Sequence, residues 1–136
     1  MKGTDMLETD KPKWPENAMV GYIDIQATGS MKAITASQIQ AYNVIIVAFT
    51  DPDGTLDAAL WATVEPILKN AAPGTLKLLS YGGAGASAAP SPLTAVNLVN
   101  TAKTLRLHGI DLDIEDNKIT TANYNLFATT LKKLGQ

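Results

Sequence analysis

Apolar positions along the chain follow two alternating rhythms. Short stretches of period two, or of unbroken apolar residues, read as strands; stripes with a period near 3.6 read as helices. Met19 to Gln26 (Met-Val-Gly-Tyr-Ile-Asp-Ile-Gln) reads as the first strand. Thr35 and Gln38 have capping-box spacing, so a short helix is expected over about 36–41. Val44-Ile-Ile-Val-Ala-Phe49 is apolar on both faces, as a strand buried between two layers should be. Asp51-Pro-Asp-Gly54 makes a turn. The next helix starts near Asp57 and buries Leu60, Trp61, Val64 and Leu68, with a kink or break expected at Pro66. Pro73-Gly74 ends it, and Thr75 to Tyr81 reads as the third strand. Ser91-Pro92 sets an N-cap before a proline at the first helical position, and the helix it opens is expected to bury Leu93, Val96, Val99 and Leu105. A fourth strand begins at Gly109. The last helix, about 121–134, aligns Tyr124, Phe127, Ala128, Leu131 and Leu134 on one stripe, with Gly135 as its stop.

The order is β-α-β-α-β-α-β-α, which predicts an α/β fold of parallel strands joined by right-handed helical crossovers. Ligands in such sheets sit at the C-terminal ends of the strands. Tyr22, Asp24, Phe49, Ser80 to Gly83 and an acidic row on the fourth strand all lie toward those ends. Residues 1–18, with Pro12, Pro15 and no periodicity, read as a disordered or loosely docked arm whose candidate anchor is Trp14; residues 19–136 form the single domain.

The most informative stretch is His108-Gly-Ile-Asp-Leu-Asp-Ile-Glu-Asp116. Alternation puts Ile110, Leu112 and Ile114 on one strand face and Asp111, Asp113 and Glu115 on the other. Neighbouring carboxyls are then roughly 6–7 Å apart at the backbone. At that spacing like charges oppose full ionisation, so one of the three should hold its proton more tightly. Glu115, nearest the strand's C-terminal end, is the candidate general acid. The plain alternative is a strand with one face in water, but that face would ordinarily mix in Lys, Thr or Ser. A calcium loop does not fit, because Asp116 stands where the loop needs Gly and Ala122 where it needs Glu.

Composition narrows the field further. The chain has 136 residues, is 46% hydrophobic, has a net charge of −2 and contains no cysteine. One domain with a real core is expected, without disulfides or thiolate metal sites and without a basic field for nucleic acid. The longest apolar run, Val44 to Phe49, is far too short to span a membrane, and Met1 to Pro15 lacks the apolar centre of a signal peptide. Gly83-Ala-Gly85-Ala-Ser-Ala88 imitates a dinucleotide-binding turn, but Pro90 and Pro92 fall where the first turns of the phosphate-binding helix would run. No cofactor or metal is expected.

Gly109-Ile-Asp-Leu-Asp-Ile-Glu115 resembles the Asp-x-Asp-x-Glu signature of glycoside hydrolase family 18, the chitinases and their relatives. Ser80-Tyr-Gly-Gly83 is similar to that family's Ser-x-Gly-Gly motif, Tyr42 to Phe49 to its second strand, and Val20-Gly-Tyr22 to its first. The resemblance covers about residues 19–135 and implies four parallel βα units forming the N-terminal half of a (β/α)8 TIM barrel. It implies hydrolysis of β-1,4-linked N-acetylglucosamine polymers in which the substrate's own N-acetyl group is the nucleophile. Glu115 would protonate the leaving oxygen, Asp113 would orient the acetamido group, and Asp111 would tune Asp113 under hydrogen bonds from Tyr22 and Ser80. Phe49 would lie beneath the cleaved sugar, after a cis Ala48–Phe49 bond, with Ser80, Gly82 and Gly83 lining the site.

Three departures from the family stand out. His108 replaces the Asp that usually opens the motif, and the aromatic residue common shortly after the first-strand Tyr is missing. A full barrel needs about 250 residues, so the sixth-strand Tyr and eighth-strand Trp have no counterpart here. The alternative is therefore a non-catalytic sugar-binding module or inactive remnant. The family is secreted, while the compartment of this chain stays open. A lone four-stranded sheet would also leave two edges and an inner face with Ile45, Val47, Phe49, Leu76 and Leu78 in water, which predicts a homo-oligomer through those edges or that face.

Overall fold

The computed structural model describes residues 12–25, 34–83, 91–114 and 120–134. Strands and helices alternate along these residues: β1 Val20–Asp24, α1 Ala36–Gln40, β2 Val44–Ala48, α2 Ala58–Leu68, β3 Leu76–Gly82, α3 Pro92–Thr104, β4 Gly109–Asp113 and α4 Thr121–Leu134. The strands form one parallel sheet in the order β1-β2-β3-β4. In register, Tyr22 stands beside Ile46, Ile46 beside Leu78, and Leu78 beside Gly109. The α/β fold of four consecutive parallel βα units is as the sequence predicts.

Helix starts follow the local chemistry. Thr35 and Gln38 close a full capping box on α1, and Ser91 with Thr94 does the same on α3, where Pro92 fills the first turn. Asp57 caps α2 by accepting from the Ala59 N–H at 2.7 Å. There is no break at Pro66: α2 runs through it as one element. Pro66 forgoes only the bond its own N–H would have made to the Ala62 carbonyl one turn back, and the ladder continues past it with the Lys69 N–H donating to the Glu65 carbonyl at 3.1 Å.

The sheet's two faces bury different sets. Ile23, Ile45, Val47, Leu79 and Tyr81 turn to the helices and join Val64, Leu98 and Phe127 in the main core. Tyr81 and Phe127 pack with ring centroids 5.6 Å apart and planes tilted by 44°, a pairing that adds about 1 kcal/mol beyond its area. The opposite face carries a smaller cluster of Val44, Ile46 and Leu76, with Leu78 against it. Ile45 and Val47 were expected on this inner face and instead face the helices. A strand apolar on both sides has no alternation to fix its phase, and the register alone decides it. The exposed inner patch is not found in the expected form either: Val44, Ile46 and Leu76 are only 0%, 3% and 8% exposed.

Two helical stripes are also corrected. On α3 the buried positions are Thr94, Ala95, Leu98, Val99 and Ala102, while Leu93 is 67% exposed. Leu93 sits in the first turn, one position off the stripe. On α4, Phe127 is fully buried but Tyr124 stays exposed. Residues 12–18 have no regular structure, and Trp14, the expected anchor, is exposed. Asn43 does the anchoring: its Nδ2 donates to the Asn17 carbonyl at 2.9 Å, and its Oδ1 accepts from the Met19 N–H at 2.7 Å.

A candidate carboxylate site at the strand ends

The site is built by three strands. Asp111 on β4 accepts two hydrogen bonds at Oδ2, from the Ser80 hydroxyl at 2.8 Å and from the Tyr22 hydroxyl at 3.2 Å. Ser80 is its register neighbour on β3 and is wholly buried. Tyr22 lies on β1, three strands away. On a flat sheet three spacings are roughly 14 Å, and Asp111 is displaced two residues further along its strand than the Tyr22 row. A tyrosine and an aspartate cannot meet across that gap above a flat surface. Their contact requires a sheet curled toward this face, with the carboxylate in the hollow.

The electrostatics follow from that placement. Tyr22 is held above the ordinary phenol value of 10.0, first by partial burial of its hydroxyl, then by the charge and hydrogen bond of Asp111, and last by the charge of Asp113. It therefore stays a neutral donor to the carboxylate. Ser80 has no such titration and supplies the shorter bond.

The Gly-Gly pair after Ser80-Tyr81 has a steric reason. Gly82 has φ +121°, and a Cβ there would collide with the Asp113 carbonyl. The Gly83 N–H donates to that carbonyl at 2.7 Å. Gly83 itself has φ +87°, and its missing Cβ would lie 2.8 Å from the Phe49 ring. These two glycines let β3 close on the end of β4 and let Phe49 lie against the backbone. The Ala48–Phe49 bond is cis, as expected.

Thus Tyr22, Ser80 and Asp111 are joined directly, and Gly82, Gly83, Asp113 and Phe49 are gathered beside them. Glu115 lies outside the described residues. Ile110, Leu112 and Ile114 pack on the helix-side core, as the alternation demands. His108 lies at the other end of β4: its Nδ1 accepts from the Lys77 N–H at 2.9 Å, and its own N–H donates to the Lys77 carbonyl at 2.7 Å. It is a structural clasp between the starts of β3 and β4. Among the described residues, no group of three or more His, Cys, Asp and Glu side chains could hold a metal ion.

Sequence reasoning missed the supports of the loop after β2. Asn97 Nδ2 donates to the Asp53 carbonyl at 2.8 Å, Thr101 Oγ1 to the Gly54 carbonyl at 3.0 Å, and the Tyr81 hydroxyl to the Pro52 carbonyl at 3.2 Å. Thr50 donates its N–H to the Ser80 carbonyl at 3.1 Å, tying this loop's root to the strand that holds Asp111. The available signal was Asn97 and Thr101, four apart on one side of an otherwise apolar-striped helix. No family model, curated protein or solved structure matches this chain.

Proposed function

We propose that this domain is half of a (β/α)8 barrel carrying a chitinase-type site that hydrolyses β-1,4-linked N-acetylglucosamine polymers. The observation that supports this most is the paired donation of Tyr22 and Ser80 to one oxygen of Asp111. It sets a carboxylate, held by two neutral donors, beside Asp113 on the same strand face. The first, third and fourth βα units contribute to it at the strand ends where such folds place their chemistry.

In this reading the acetamido carbonyl oxygen of the sugar attacks its own anomeric carbon as the glycosidic bond breaks. Glu115 gives its proton to the departing oxygen. Asp113 accepts a hydrogen bond from the acetamido N–H, which strengthens as that nitrogen becomes positive. Asp111, held in place by its two donors, tunes Asp113 beside it. Water then opens the cyclic intermediate and returns the proton to Glu115. Phe49, braced on Gly83, offers an apolar platform for a sugar face.

The requirement for the acetyl group provides the test. The chain should cleave an N-acetylglucosamine oligomer and leave the fully deacetylated oligomer intact. Equal cleavage of both would contradict the mechanism. Binding of the acetylated oligomer without cleavage would instead mark the chain as a sugar-binding module.

A further inference from the structure

The outer edge of β1 carries features that point to a partner. Met19, Val20 and Tyr22 are 57%, 37% and 55% exposed. No described strand pairs with this side of β1. In a parallel ladder, alternate residues turn both backbone groups to the same neighbour. The Met19 carbonyl and the Ile25 N–H face β2, accepting from Val44 and donating to Ala48. The same alternation turns the backbone groups of Val20 and Tyr22 outward. The strand has none of the lysines, prolines or bulges with which proteins blunt an exposed edge.

Charge is segregated along the strand direction. Asp24, Asp51, Asp53, Asp57, Asp111 and Asp113 lie at the C-terminal ends of the strands, with no described Lys or Arg among them. Helices run back against the strands, so Lys69, Lys103, Arg106, Lys132 and Lys133 gather at the opposite end. Glu16 and Glu65 are the described acids toward that end. Two copies side by side in the same direction would set acid against acid. Two copies in opposite directions set each acidic end beside a basic one.

We infer that two copies of this chain associate through antiparallel pairing of their β1 strands, making one continuous eight-stranded sheet across a two-fold axis. Centred on Tyr22, the register brings Tyr22 opposite its copy and Val20 opposite Asp24 of the second copy. Both outward-turned residues then exchange hydrogen bonds, and no like charges stand opposed. Self-pairing of β4 has no register that engages both of its outward residues and keeps like charges apart; centred on Ile110 it would set Leu112 opposite His108, whose N–H is already donated to the Lys77 carbonyl. Gly83 donates to the Asp113 carbonyl, so Ile110 and Leu112 carry the outward groups, and the two-fold that pairs them sets Asp111 against Asp111. The β1 dimer is isologous and closes at two copies. It leaves the two carboxylate sites at opposite ends of the joined sheet.

The test measures mass and direction together. At tens of micromolar in low salt the chain should sediment at twice its 14.4 kDa, with raised salt weakening association about tenfold as the end charges are screened. The chain has no cysteine, so single-cysteine variants report cleanly. An oxidised mixture of Val20→Cys and Asp24→Cys should form the mixed disulfide, because antiparallel partners fall within disulfide reach. Neither variant alone should link. A monomer under these conditions overturns the inference, whichever variants fold. So does a dimer in which the mixed disulfide fails to form, or in which Val20→Cys links to itself.

Discussion

At the scale of single residues, the candidate site depends on how Asp111 is held. Ser80 is fully buried and its hydroxyl is committed to that carboxylate. Removing it leaves a half-buried charge with one side-chain donor fewer, so Ser80→Ala should lower stability by about 1–2 kcal/mol; chemical denaturation measures this. Tyr22 is largely exposed, and its bond should be worth less to stability but visible in titration. Its raised phenol value means the folded state favours the neutral form. That contribution is whole below the unfolded value near 10.0 and is lost as pH rises through the higher folded value. Alkaline absorbance titration should show two late-ionising tyrosines, Tyr22 and the buried Tyr81; Tyr22→Phe should remove one of them, and Asp111→Asn should move that one part of the way back. An unchanged titration in Asp111→Asn would mean that burial and the charge of Asp113 set the shift without Asp111.

At the scale of elements, much was legible because alternation and capping are local. The acidic and apolar faces of β4 were readable from a strict period of two, and the starts of α1, α2 and α3 from Thr35, Asp57 and Ser91. What failed was phase where the pattern is uniform. Val44 to Ala48 is buried at every position, so no sequence rule could assign Ile45 and Val47 to the helices. Nor could spacing reveal that Asn97, Thr101 and Tyr81 tie down the loop after β2, since those bonds join residues 29 to 47 positions apart. The same limit applied to His108, whose type suggested little. Its contact with Lys77 joins the beginnings of β3 and β4, away from Asp111 and Asp113. His108→Ala strands the Lys77 N–H and should cost about 1–3 kcal/mol, read from thermal or chemical unfolding. Turnover of a sugar oligomer should change by less than about tenfold, because general-acid effects belong to groups that reach the substrate.

At the scale of the whole molecule, the curl of the sheet connects fold to site. It brings Tyr22 to Asp111 across three strands and lets Val44, Ile46, Leu76 and Leu78 cluster on the hollow face. Together with the acidic alternation that ends at Glu115, it supports a carboxylate-driven glycosidase. The proposed acid catalysis is probed by Glu115→Gln, since the change keeps size and hydrogen bonding while removing the acidic proton. Turnover of an N-acetylglucosamine oligomer should fall by about 10²–10⁴-fold, with the circular dichroism spectrum unchanged. Undiminished turnover in a folded Glu115→Gln variant would mean that Glu115 is not the acid.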